Sequence, residues 1–211
     1  MIGLMEKDVR LTFSNKKVLC IFVFALALAA MNDGFILWYF PFLAVFMVFG
    51  TLTNDEMDNG RTFLFTLPVD VKTYVQEKYL LALITFALSY GLALVLYYAV
   101  GMVSGATVAA PGEDTYGLLT GLLVFLSITI PTSLKFGREK GMVIMLVMSG
   151  VIVLGAKLLS STDLGDSVVK ALSWFLKLQQ EMQFGLVIGL VVVILVVSYV
   201  CSVQIMKKKE W

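Results

Sequence analysis

The chain has 211 residues, of which 59% are hydrophobic and only 15% charged, with a formal net charge of +1. Soluble domains carry about 25% charged residues, so a mean hydropathy of +0.91 excludes a water-soluble fold. The lack of any histidine excludes His-based triads, proton shuttles and His-rich metal sites, and Cys20 and Cys201 lie in apolar stretches, where they read as small hydrophobes rather than a disulfide framework.

At the N-terminus, Ile2, Met5, Val9 and Phe13 recur at helical spacing while Glu6, Lys7 and Arg10 fall off that stripe. The pattern predicts an amphipathic helix over residues 1–17 on the membrane surface, either a plain anchor or a docking element. Six nearly uncharged stretches follow, over 18–33, 35–53, 79–103, 116–134, 142–160 and 184–206. A helix needs about 20 apolar residues to cross about 30 Å of hydrocarbon and must satisfy its backbone internally. Each stretch is therefore expected to be a transmembrane helix. The first is short and shares features with a secretory leader, but Glu6 and Asp8 upstream and the second stretch close behind it favour a span. Asn32, Asp33 and Gly34 then form the turn of a helical hairpin. Thirteen of the sixteen Lys and Arg residues lie in the N-terminal segment, the segment 54–78, the short loop with Lys135, Arg138 and Lys140, and the tail Lys207 to Lys209. By the positive-inside rule both termini are expected in the cytosol of a multi-pass cell-membrane protein.

The segment 54–78 is the least like a plain connector. Its acidic run, Asp55, Glu56 and Asp58, lacks the alternating spacing of a calcium loop and reads instead as helix capping or a contact for a basic partner. A short helix is expected from Asp58 to about Thr66, because Pro68 forces the residue before it out of helical geometry, and Asp70 is placed to cap the next helix. Phe63, Leu64, Phe65 and Leu67 make this hook more apolar than a cytosolic connector requires. Such a patch lies against lipid or fits a groove on another protein.

Within the spans, Pro41 and Pro131 are expected to bend the second and fourth helices, and the pairs Gly117 with Gly121 and Gly185 with Gly189 permit close helix contacts. No charged residue is expected at mid-bilayer, which argues against an ion- or proton-coupled carrier; Lys157, near the outer end of the fifth span, is expected to snorkel. Trp38, Phe42, Phe46 and Phe49 on the second span and Met142, Met145 and Met148 on the fifth are candidate cargo-lining side chains, adaptable enough for varied amphipathic or hydrophobic molecules. The plainer reading of the same residues is lipid-facing or helix-packing surface. The segment 161–183 pairs the capping residues Asp163 and Asp166 with an apolar face of Val168, Leu172, Phe175 and Leu176, which predicts an amphipathic helix at the outer surface with Trp174 at the interface. The chain has no P-loop, and no paired carboxylates or activated nucleophile at bilayer depth. It is not expected to be an enzyme, and energy for transport has to come from a partner.

With Glu56 and Gly60 after the second span, then Leu67-Pro68-Val69-Asp70, Lys72, Tyr74 and Glu77-Lys78-Tyr79, the chain resembles the permease subunits of ABC-2 type exporters over essentially its whole length. Among these, the short, loop-poor form is similar to the permeases of the staphylococcal phenol-soluble modulin exporter and its Gram-positive relatives. The resemblance implies an all-α integral membrane fold of six transmembrane helices, an N-terminal elbow helix and an outer helix between spans five and six. It also implies a dimer, with itself or a sister permease, served by two ATP-binding subunits that carry ATP and Mg, so that this chain needs no cofactor of its own. Under it the coupling contacts are Asp58, Gly60, Arg61, Phe63, Leu64, Phe65, Leu67 and Pro68, with Lys135 and Arg138 as a second, smaller contact. The cargo implied is an amphipathic peptide or other hydrophobic toxic compound, not nucleic acid. A reading from a different class is a non-transporting immunity or sensor subunit that binds an ATPase or a peptide.

Overall fold

The computed structural model describes residues 2–14, 36–57, 60–66, 70–104, 110–161 and 180–209. All regular structure among them is helical: α1 (Ile2–Ser14), α2 (Ile36–Asn54), α3 (Gly60–Thr66), α4 (Val71–Ser104), α5 (Glu113–Ser161) and α6 (Gln180–Lys207). Four stretches are long and apolar enough to cross a bilayer, Ile36–Asn54, Val71–Val103, Thr115–Gly137 and Gly185–Lys207. They coincide with the second, third, fourth and sixth expected spans. The first expected span, its hairpin turn and nearly all of the expected outer helix lie outside the described residues.

The α5 helix is broken at Gly137, whose φ of 79° and ψ of −175° are not helical. Residues eight apart in a continuous helix are separated by about 12 Å, yet a Cβ on Gly141 would come within 3.5 Å of the Ser133 Cα. The chain therefore turns back on itself at Gly137. One limb is residues 113–136 and the other, 138–161, returns as helix through the region of the expected fifth span.

The α4 helix, with 34 residues, is about 50 Å long at 1.5 Å per residue, well beyond about 30 Å of hydrocarbon. Asp70 stands just before it, and its carbonyl accepts the Tyr74 amide at 3.0 Å. The helix thus takes in residues 71–78, which the sequence assigned to the connecting segment, and its first turns project beyond the apolar layer.

α2 is the central helix. Its apolar window is 56% buried, against 17% for that of α6, and it packs on both α4 and α5. Val45, Val48, Phe49 and Leu52 of α2, Leu64 of α3, Tyr74, Val75, Tyr79 and Ala82 of α4, Leu126, Ile130 and Leu134 of α5, and Met206 of α6 form one buried cluster. This cluster marks a common end of the bundle, here called the base. A second cluster, Ile36, Phe40 and Ala93, closes the opposite end of the α2–α4 pair.

Several buried hydroxyls inside the bundle are satisfied within it, while that of Ser133 has no hydrogen-bond partner among the described residues. Thr85, Ser127, Thr129 and Thr132 each return a hydroxyl hydrogen bond to a carbonyl three or four residues earlier on their own helix, as apolar surroundings require. Pro131 poses a harder problem, because it has no N–H to give the Ser127 carbonyl four residues back. The Ser198 hydroxyl of α6 donates to that carbonyl. The Tyr79 hydroxyl of α4 in turn shares hydrogen bonds with Ser198 and, at 2.9 Å, with Ser202. A proline in one span is thus accommodated by a serine from a second and a tyrosine from a third.

Ser198→Ala is expected to destabilise the protein by about 1 kcal/mol, typical of a buried hydrogen bond between membrane helices. In a Pro131→Ala background, where residue 131 regains its own N–H, the same change should cost much less. Thermal unfolding of the four proteins in detergent measures this; equal costs in the two backgrounds would refute the pairing.

Candidate functional site

Among the described residues, the buried charged side chains, Asp8, Asp55, Glu77 and Lys78, lie in one cluster at the base, with Lys7 at its edge. α1 contributes Lys7 and Asp8, the end of α2 contributes Asp55, and the first two turns of α4 contribute Tyr74, Glu77 and Lys78. Tyr74, Glu77 and Lys78, at i, i+3 and i+4, share one helix face. The Lys78 side chain is only 1% exposed, and its Nζ pairs with Asp8, with Asp55 at 2.7 Å and with Glu77 at 3.5 Å. Its ammonium thereby fills the position that a cation would take among three carboxylates. It also stands 5.3 Å from the centre of the Tyr74 ring, a cation–π distance. Lys7, more exposed, bridges Asp8 at 3.2 Å and Asp55 from the other side. The Tyr74 hydroxyl donates to Asp55 at 3.0 Å.

Burial alone would raise the Asp55 carboxyl. The charges of Lys78 and Lys7 and the hydrogen bonds from both outweigh it and hold the group below the ordinary carboxylate range. The Glu77 oxygens are buried and accept no hydrogen bond among the described residues. Among the described side chains, three carboxylates therefore face two ammonium groups, and Glu77 is the one in excess.

This arrangement joins elements; it does not hold cargo. The cavity beside it, lined by Asp8, Val9, Met47, Val48, Thr51, Leu81 and Thr85, measures about 30 Å³, room for roughly one water molecule. The sequence shows Lys78 only as one of the cations of the segment 54–78 and as part of the Glu77-Lys78-Tyr79 motif, and gives Asp8 no structural part, because the partners lie 70 and 23 residues apart from Lys78 along the chain. The available signal was the charged i, i+3, i+4 face next to a span, together with Asp8 one helical turn after Leu4. Leu4 packs on the base cluster, whereas Val9, on the opposite apolar stripe, is exposed. The N-terminal helix thus offers one face to the chain's own body and another outward.

The predicted hook takes shape beside this cluster. α3 spans Gly60–Thr66, ending where Pro68 required. A Cβ on Gly60 would lie 3.1 Å from the Asp55 carbonyl oxygen, so glycine lets α3 begin tight beneath the end of α2. Leu64 turns into the base cluster, and Phe65 stands edge-on to Tyr74 at 5.7 Å. Phe63 points away and is 69% exposed. The three apolar anchors therefore divide: two seat the hook on its own chain, and one faces outward. Lys135, at the turn of α5, is exposed. Asp58, Leu67 and Pro68, and the side chains of Arg61 and Arg138, lie outside the described residues.

The candidate cargo residues also divide. Phe42 and Phe46 are exposed and meet edge-to-face at 4.8 Å, and Trp38 is half-buried. Phe49, on the same side of α2, is buried in the base cluster, where Gly141 packs near its ring. The aromatic face of α2 is open at Phe42 and Phe46 and closed at Phe49 by the turn of α5. The side chains of Met142, Met145 and Met148 lie outside the described residues.

Residues 3–207 match the family described as ABC-2 family transporter protein. The match takes in all six described helices, and the chain belongs to this family. No curated protein and no solved structure gave a significant match. Membership, with the several apolar helices, makes the chain a multi-pass membrane protein of the permease type, which associates with an ABC ATP-binding subunit.

Lys78→Met leaves Asp8 and Asp55 buried with half their counter-charge, and should destabilise the protein by roughly 3–5 kcal/mol, as breaking a buried ion pair does. Glu77→Gln removes the carboxylate in excess and should cost less than about 1 kcal/mol. Detergent melting curves separate the two; equal losses would contradict the charge count. Because the Asp55 pKa is lowered on folding, its contribution is complete above the ordinary value of 3.8 and is lost as pH falls through the lowered folded value. The stability gap between the native protein and Asp55→Asn should narrow as pH falls below about 4.

Proposed function

We propose that this chain is the transmembrane half of an ATP-driven exporter of amphipathic peptides or other hydrophobic toxic compounds. In this reading it has six spans and sits in the cell membrane with the base in the cytosol. Two permeases, identical or sister chains, stand above two ATP-binding subunits. The observation that carries the reading is the α3 hook: an otherwise costly exposed phenylalanine, Phe63, sits on a helix whose other two apolar side chains, Leu64 and Phe65, are committed to the permease's own body. An exposed aromatic on a firmly seated helix suits a groove on a partner.

Closure of the ATP-bound motor would push on α3, and the bundle, held rigid at its base, would rock between inward- and outward-facing arrangements. The family supplies the ATPase partner; ATP and Mg belong to that subunit, and the chain's own part is mechanical. The open aromatic pair Phe42 and Phe46, above the closed position Phe49, supports α2 as one wall of the pathway. Peptide cargo is suggested by the similarity to exporters of amphipathic toxins and by the scarcity of fixed charge along that wall.

Phe63→Asp should reduce co-purification of the ATP-binding subunit at least about tenfold, the loss expected when an interface anchor is replaced by a charge. The protein's own melting temperature should change little, because Phe63 is exposed. Retained binding and export at the native rate would refute α3 as the coupling element.

A further inference from the structure

The two turns at the base, α3 after the second span and the reversal at Gly137, are separated by some seventy residues of sequence. They meet at two adjacent residues, α3 at the Asp55 carbonyl and the reversal at the Glu56 side chain. The Asp55 amide bonds to the Thr51 carbonyl and the Glu56 amide to the Thr53 carbonyl, each at 3.1 Å, so both residues are held in the backbone pattern that ends α2. Neighbouring side chains on a helical turn diverge by about 100°. Asp55 accordingly enters the Lys78 cluster, while Glu56 reaches the α5 turn.

There the fit is close. A Cβ at residue 137 would lie 3.1 Å from both Glu56 carboxylate oxygens. The φ of 79° at Gly137 independently disfavours any residue with a side chain. The φ requires glycine at 137, and the lack of a side chain there leaves room for the close approach of the Glu56 carboxylate. Because α3 starts 3.1 Å beneath the Asp55 carbonyl by the same Cβ measure at Gly60, the hook, the α5 turn and the end of α2 converge on Asp55 and Glu56.

We infer that Glu56 and Gly137 form a positioning joint that makes the α3 hook and the α5 turn move as one body. A push on α3 then reaches both limbs of α5 through Glu56, while Asp55 delivers it to α4 and α1. The inference rests on the proposed role of α3 as the coupling element, but the joint itself can be tested without the ATPase. Glu56 is a positioning residue; it acts through the turn it holds and touches neither cargo nor nucleotide.

Thr66 and Lys140 are exposed, one on each turn. Spin labels on Thr66→Cys and Lys140→Cys, in a chain with Cys20→Ala and Cys201→Ala, report the distance between the turns by pulsed electron resonance in the full-length protein in nanodiscs. The native pair should give one narrow distribution, unchanged when the complex with the ATP-binding subunit is trapped with ATP and vanadate. Glu56→Ala should broaden it at least about twofold, whereas Glu56→Gln, which keeps the length of the side chain at the turn, should leave it narrow. A melting temperature is recorded for each variant; Glu56 is only half-buried, so its alanine variant keeps the fold. An unchanged distribution in Glu56→Ala, an equal broadening in Glu56→Gln, or a native distance that shifts on trapping would each overturn the inference. Failure of the native chain to bind any ATP-binding subunit would instead defeat the coupling role of α3, and the nucleotide-free distributions would still decide the joint.

Discussion

The buried ammonium of Lys78 is the constraint on which the base depends. Removing such a charge from water costs several kcal/mol, an expense that only close and multiple partners offset. Those partners come from three elements, Asp8 on α1, Asp55 at the end of α2, and Tyr74 and Glu77 on α4 itself. Since no one of them suffices, α1, α2 and α4 are obliged to meet at one place. The hydrophobic cluster directly above, from Val45 to Met206, supplies adhesion without direction. The ion cluster supplies the direction, because charge pairs have narrow geometric tolerance.

The same logic appears deeper in the bundle in neutral form. Apolar packing among lipid-surrounded helices does not choose between one rotation and another, since lipid tails are as apolar as leucine. The carbonyl of Ser127, deprived of a donor by Pro131, does choose. It requires a hydroxyl from another helix, Ser198 provides it, and Tyr79 locks that serine in place. One unsatisfied backbone group thereby fixes the relative placement of α4, α5 and α6. Tyr79 follows Lys78 directly in sequence, so the ionic and the neutral networks are joined through a single turn of α4.

Rigidity at the base explains the form of the hook. A helix of seven residues is not stable alone; α3 exists because Leu64 and Phe65 are held by the chain it belongs to. That leaves Phe63 in a fixed, outward orientation, the condition under which an exposed aromatic becomes a useful anchor. The closed position at Phe49, sealed by the α5 turn, lies close by. A displacement of that turn would bear on the aromatic face of α2, which links the base of the molecule to the surface where Phe42 and Phe46 are open.

Much of this was legible in the amino-acid sequence, and the division has a physical cause. The positions of the four apolar spans found among the described residues, the stop at Thr66, the boundary at Asp70 and the apolar character of the hook are set by local rules: hydrophobic length, proline geometry and capping. Those rules act over a few residues, and the sequence by itself determined them, along with the family resemblance. It did not reveal that Lys78 is buried, that Leu64 and Phe65 face inward while Phe63 faces out, or that Phe49 is closed where Phe42 and Phe46 are open. Each of these depends on which distant segment lies opposite, Asp8 for Lys78, the base cluster for Leu64, Gly141 for Phe49. A lysine near a membrane face reads the same whether it meets water or a carboxylate seventy residues away, and only the tertiary structure decided which.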